Sequence, residues 1–390
     1  MRIGIFTDSY LPYTSGVVRS IQTFTEELTT LGHEVYIFAP SYRNCDNESR
    51  VFRFASIPSP TNPDFTLAVP FSLKLKPTIT RLELDLIHVH SPFLLGRVGA
   101  RYARKLGVPL VFTYHTLYDK YVHYLPFAQS YTKELAQKIS RDFCNLCDLV
   151  IVPTDIIGDY LHEIGVLTEV NRVPTGIKIS DYQKGDPEWL QSQYKIKTKD
   201  KVLLFVGRLG KEKNICFLLE SFKILNKIME NTVLVLVGGG PEEEELKEKA
   251  VELGIENRVI FTGTLPPEVV VNCYAGSSLF VFPSVTETQG IVIAEAKAAG
   301  LPVVAIKAYG VSEMVEDGVD GYLTEPVPEE FAAKILTLLK NDKLKEELGK
   351  RARQNAEKLS STNCTARLVE SYQEVLDKKD ISANNAAKGN

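Results

Sequence analysis

One rhythm constrains this sequence more than anything else in it: a short β-branched apolar run, a polar turn and an amphipathic helical stretch follow one another, and the whole series occurs twice. The apolar runs are too short for buried helices and lack polar alternation, so they read as strands covered on both faces. A parallel sheet between two layers of helices supplies that environment. In the first half the expected strands are Arg2–Thr7, Glu34–Ala39, Leu86–His90, Leu110–Tyr114 and Leu149–Val152. A polar stretch over 174–187, rich in Gly and Pro, reads as a linker. The series then restarts with Lys201–Val206, Thr232–Val237, Arg258–Phe261, Leu279–Phe282 and Pro302–Ile306, with helices such as Asn214–Ile228 and Ile291–Ala299 between them. The expected fold is α/β, with two Rossmann-like doubly wound domains, 1–175 and 188–360, facing each other across a cleft. Three helical stretches close the chain, Pro328–Lys340, Lys343–Leu359 and one near 363–378 that could pack on either domain, while 381–390 is expected to be disordered.

Composition matters mainly for what it excludes. A formal net charge of -4 over 390 residues gives no global field for nucleic acid, and none is expected as a partner. Locally the balance differs, with 13 Lys/Arg against 5 Asp/Glu between Arg50 and Arg141. Met1 leads straight into a strand without the apolar core of a signal peptide, so a cytoplasmic location is expected. No run approaches the roughly 18 apolar residues of a membrane span, which leaves only peripheral contact with a bilayer. The six cysteines lie scattered in apolar segments, and Cys144 and Cys147 have no second pair at zinc-ligand spacing, so buried thiols are expected.

In doubly wound sheets ligands sit beyond the carboxyl ends of the strands, which directs attention to the loops there. After Leu279–Phe282 come Glu287, Gln289, Gly290, Ile291 and, one helical turn further on, Glu295. Backbone N–H groups of Gln289, Gly290 and Ile291 at a helix start suit an anion or a hydroxyl array. A carboxylate can accept from two vicinal hydroxyls, so Glu287 is a candidate to orient a sugar and Glu295 to contact a ribose; alternatively both merely favour a helix N-terminus. After Lys201–Val206, Gly207, Arg208 and Lys213 form a candidate diphosphate cradle, or else a solvated basic loop. Gly239, within the run Gly238–Gly240, permits close backbone approach. In the first half, Asp8, Tyr10, Ser15 and Gly16 lie on the loop from strand one to helix one, which is not G-x-G-x-x-G and so argues against a dinucleotide. That loop is a candidate for the acceptor side. His115, at a strand's carboxyl end, is a candidate sugar contact as a neutral imidazole, or a structural histidine.

Taken together, the pair Glu287 and Glu295 with seven residues between them, the Gly-Arg…Lys loop at Arg208 and Lys213, the glycine at 16 and the strand-end His115 resemble retaining glycosyltransferase family four, of the two-domain GT-B type. The resemblance implies that Arg208 and Lys213 bind the donor diphosphate, Glu287 the 3- and 4-hydroxyls of the sugar, Glu295 the ribose, and Gly263 to Leu265 the base. It implies that the C-terminal helix returns to the first domain. Thr7-Asp8-Ser-Tyr-Leu-Pro, the run from Tyr114 to Leu125, and Glu287-Thr-Gln-Gly resemble the bacterial diacylglycerol glucosyltransferases of that family, with Gln289 where many relatives carry phenylalanine. The implied partners are a UDP-sugar donor, a lipid acceptor and an anionic membrane surface met through the basic first half. Pro70 and Pro77 speak against one long amphipathic helix over Leu67–Leu86. Transfer with retention is implied, the leaving phosphate accepting the acceptor's proton, with no cofactor and no metal, since Asp-x-Asp occurs nowhere. Phosphatidylinositol or a soluble sugar or thiol precursor stand as alternative acceptors, and a non-enzymatic sugar-binding protein or a Rossmann oxidoreductase as alternatives of another class.

Overall fold

The computed structural model describes residues 1–43, 45, 48–59, 65–120 and 129–388. The chain divides into two compact units, one of 1–176 with 361–390 and one of 177–360. In the first unit the strands in chain order are β1 (Arg2–Phe6), β2 (Glu34–Pro40), β3 (Val51–Phe54), a small antiparallel pair β4 (Ser56–Pro58) and β5 (Thr66–Ala68), then β6 (Leu86–Val89), β7 (Leu110–Thr113), β8 (Leu149–Val152) and β9 (Val170–Arg172). Seven of them form a parallel sheet in the order β3-β2-β1-β6-β7-β8-β9. Every residue of β6, β7 and β8 is buried, as expected of strands covered on both faces. Phe6 stacks on Phe38, and Phe38 on Phe52, with ring centroids 4.3 and 5.0 Å apart, filling one side of this sheet.

The helix α1 (Gly16–Thr30) turns Val18, Ile21, Phe24 and Leu28 inward at helical spacing. The C-terminal helix, Ser361–Lys388, joins the same core with Cys364, Leu368, Tyr372 and Val375. It therefore packs on the first unit, although it follows the second in sequence. It also runs past the expected end near 378, reaching Lys388 through a stretch expected to be disordered, where Ala383, Ala386 and Ala387 favour helix; residues 389–390 of that expectation lie outside the described residues.

The second unit contains β10 (Lys201–Val206), β11 (Thr232–Val237), β12 (Val259–Gly263), β13 (Leu279–Phe282), β14 (Val303–Ile306) and β15 (Gly321–Thr324), all parallel, in the order β12-β11-β10-β13-β14-β15. This is the doubly wound order in which the sheet reverses direction beside its first strand, leaving a crevice between the loops after β10 and β13. In the first unit the corresponding point lies between β1 and β6. The stretch read as a linker from 174 to 187 is mostly built into the second unit, which begins at Ile177 rather than at 188. Ile177 N–H donates to Leu359 O at 2.9 Å, Ile179 joins the apolar core, and Gly185 lies so close to Val271 that an added Cβ would come within 2.5 Å of its carbonyl oxygen.

Candidate active site

The two loops at the crevice of the second unit are laced together. Asn214, with a left-handed φ of 55°, turns the β10 loop into the helix Ile215–Ile228, and its Nδ2 donates to Pro283 O at 3.3 Å. Lys213 reaches across to form an ion pair with Glu287 Oε1. Ser284, fully buried, places its hydroxyl 2.9 Å from that same oxygen and 3.1 Å from the Glu212 carbonyl. The Phe282 ring lies below the Lys213 ammonium at 6.0 Å. The ion-paired side chains keep only 17% and 15% of their surface, so the pair is screened from water without being sealed off. Arg208 stands exposed on the same β10 loop. The arrangement therefore pairs two predicted residues, Lys213 and Glu287, across the crevice, with the predicted Arg208 on the same loop as Lys213, and a charged, hydroxyl-rich ligand can exchange contacts with the pair.

Glycines make this approach possible by packing backbone on backbone. A Cβ on Gly238 would stand 2.0 Å from Gly207 O, and one on Gly240 would stand 2.3 Å from Leu209 O. The glycine run thus closes against the Gly207 loop, with Leu209 N–H donating to Gly239 O at 3.0 Å, and Gly239 itself faces Thr264. Gly263, at φ 70°, has open space where a side chain would stand, while Leu265 is partly buried against the core. Gly290, at φ 83°, starts the helix Ile291–Ala298 with no side chain capping it. Gln289 is buried, and Glu295 is only 1% exposed, one carboxylate oxygen accepting from Tyr274 Oη at 2.7 Å. Ser284 and Tyr274 carry no motif signal; their role shows only once the strands are placed.

In the first unit the loop from β1 to α1 distributes its residues differently from the expected acceptor lining. Asp8 accepts from Leu95 N–H at 2.8 Å and from the Ser91 hydroxyl, holding the start of α3 (Leu94–Leu106), after α2 (Leu75–Leu82). Burial pushes its carboxyl above the ordinary range, and these hydrogen bonds pull it back. Ser15 caps α1 by accepting from Val18 N–H at 3.3 Å. Tyr10 lies in the core under the Arg53 guanidinium, 5.3 Å from the ring centre, and burial pushes its hydroxyl up to about 12. Gly16 is exposed. His115 is partly buried and bonded to His90, whose Nδ1 lies 2.8 Å from its Nε2. His88, His90 and Ser91 escaped the motif reading, although histidines at 88 and 90, alternating at the end of a buried strand, are the signal that marks them.

Residues 14–181 match the family Glycosyltransferase Family 4, and residues 188–355 match Glycosyl transferases group 1. Alpha-monoglucosyldiacylglycerol synthase of Streptococcus pneumoniae is 34% identical over 330 residues, covering 83% of this chain and 75% of that protein. The protein of the same name from Acholeplasma laidlawii is 31% identical over 399 residues, 98% of this chain and 100% of the other. Among solved structures, Anabaena HepE in complex with UDP superposes with a TM-score of 0.78 at 22% identity, covering 96% of this chain and 100% of that one, which shows a shared fold.

Proposed function

This chain belongs to glycosyltransferase family 4, and we propose that it transfers a hexose, glucose, from a UDP-sugar to the free hydroxyl of diacylglycerol, forming an α-glycosyl diacylglycerol. The observation that carries the reading is the pairing of Lys213 and Glu287 across the loops after β10 and β13, with Arg208 exposed on the first of these loops. In this reading the two cations meet the donor diphosphate, whose charge grows as the sugar leaves, and Glu287 accepts from hexose hydroxyls. The bond from the anomeric carbon to the phosphate oxygen breaks while the acceptor oxygen bonds to the same face of that carbon. The acceptor proton passes to the departing phosphate. Because protein cations hold the diphosphate, turnover needs no metal and should survive excess EDTA; complete loss restored by Mg²⁺ or Mn²⁺ would contradict this.

The lipid acceptor is supported by the two relatives named for diacylglycerol chemistry and by the surface of the first unit. Just before α2, Phe71 and Leu73 are 69% and 82% exposed and are followed by Lys74, Lys76 and Arg81. Apolar side chains beside lysines suit a peripheral contact with an anionic leaflet at the cytoplasmic face. Among the described residues no helix is long and apolar enough to cross a membrane. The test is incubation with UDP-glucose, UDP-galactose and GDP-mannose against a panel of diacylglycerol, phosphatidylinositol and soluble acceptors, with products read by mass spectrometry. A glucosyl diacylglycerol with α-anomeric configuration is the expected product, and transfer only to a water-soluble acceptor overturns the reading.

A further inference from the structure

Three histidines of the first unit form a stack beside the strand ends. His88 lies on β6 and His90 just beyond it, with ring centroids 4.2 Å apart, and His115, two residues past β7, stacks on His90 at 5.1 Å and 19°. The inner end is anchored: His88 Nδ1 lies 2.6 Å from Tyr372 Oη of the C-terminal helix, and its Nε2 lies 2.7 Å from Thr113 Oγ1. Burial pulls His88 and His115 down to about 3 and holds His90 well below the ordinary histidine value. At neutral pH each ring therefore carries one N–H and one lone pair.

That count decides the contact between His90 and His115, because one nitrogen must donate and the other accept. His90 is 2% exposed, and its Nε2 meets no hydrogen-bond partner among the described residues. With the proton on Nε2, a buried N–H would be stranded. With the proton on Nδ1, only a lone pair is left over, and buried acceptors go unsatisfied more readily than buried N–H groups. We propose that His90 is a positioning residue, donating Nδ1–H to Nε2 of His115 and so holding His115 in the neutral tautomer protonated on Nδ1, a donor for a substrate oxygen. The proposal rests on the reading of His115 as a substrate contact. A neutral ring fixed in one tautomer meets an oxygen lone pair in a single way, whereas a ring free to exchange tautomers offers a donor only part of the time.

Nitrogen-15 NMR of the full-length protein labelled at histidine tests this without any substitution: at pH 7 His115 should show the coupling pattern of an Nδ1–H imidazole. An Nε2–H pattern, or that of an imidazolium, overturns the proposal. His90→Leu removes the donor, and should weaken the preference of His115 for the Nδ1–H tautomer and lower kcat about tenfold, the factor of one hydrogen bond, with KM for the UDP-sugar little changed. His90→Asn places an amide N–H near the lost Nδ1–H and should recover most of that loss. Equal activity of the Leu and Asn variants, both folded by circular dichroism, also overturns it. Undiminished turnover in His115→Ala would remove the substrate role on which the proposal rests, while the tautomer measurement would still stand on its own.

Discussion

Lys213 and Glu287 hold one another before any ligand arrives, which changes what their removal should do. Arg208→Ala should lower kcat about 10² to 10³, the usual scale for one charge aimed at a developing anion; wild-type kcat would remove Arg208 from the site. Lys213→Ala should lose as much activity and also about 1 to 3 kcal/mol of stability, because Glu287 is left half-buried without its cation. Glu287→Gln in the Lys213→Ala background should return that stability without restoring turnover, and thermal melts beside rate measurements separate the two losses. Glu287→Gln alone should slow sugar transfer more than it weakens UDP binding; equal losses would move Glu287 away from the sugar. Acid should also act on the stacked histidines. Their folded values lie below those of the unfolded chain, so their stabilisation is present above about pH 6.5 and is lost as pH falls toward 3, and stability slopes downward with acid across that window. His88→Gln should flatten that slope in denaturant titrations across this range, and an unchanged slope would show that the ring does not carry it. At this scale the sequence marks Lys213 and Glu287 by motif, and the structure brings these two into one ion pair. The sequence is opaque where a polar side chain serves a distant partner. Nothing near Asp8 announces that its carboxylate holds the start of a helix more than eighty residues away.

Among the elements, the central strands were readable to within a residue or so because both faces are buried and the apolar runs are continuous. β8, β10, β11 and β13 span the same residues as the strands expected from the sequence. The edges β3, β9 and β15 were not readable, since Val170–Arg172 mixes polar residues into a three-residue strand and Gly321–Thr324 opens on glycine. α2 illustrates how a proline limits an element: Pro77 sits in its first turn, where the missing N–H costs nothing, and the helix spans only 8 residues. α3 carries the membrane prediction. Arg97, Arg101, Arg104 and Lys105 are all exposed, while Leu95, Val98 and Ala103 face inward. With Lys and Arg contributing about 1 kcal/mol each near an anionic surface, a handful suffices for reversible docking. Vesicle co-sedimentation should rise with the phosphatidylglycerol fraction, fall with salt, and weaken when Arg97, Arg101 and Arg104 become glutamate. Binding indifferent to lipid charge would leave α3 as an ordinary solvated face.

In the whole molecule, the two sheets repeat one winding with different loops. The two units carry separate apolar cores, and the first closes with a helix contributed from beyond the second. Tyr372, fully buried there, ties that helix to His88. Tyr372→Ala should therefore cost the first unit about 3 to 5 kcal/mol, the scale for emptying a buried aromatic site. Calorimetry or domain-resolved proteolysis should show the first unit loosening while the second keeps its stability; equal loss in both would refute this partition. The same threading sets a timetable for the nascent chain. Residues 361–388 are synthesised after all of 177–360, so the groove that α1 and its sheet offer them stays uncovered while the entire second unit is made, roughly 10 to 40 s at ordinary elongation rates. The half of the enzyme that is translated first is thus the half that is completed last, since the core holding Phe24 and Leu28 also takes Cys364, Leu368 and Tyr372 from the final helix.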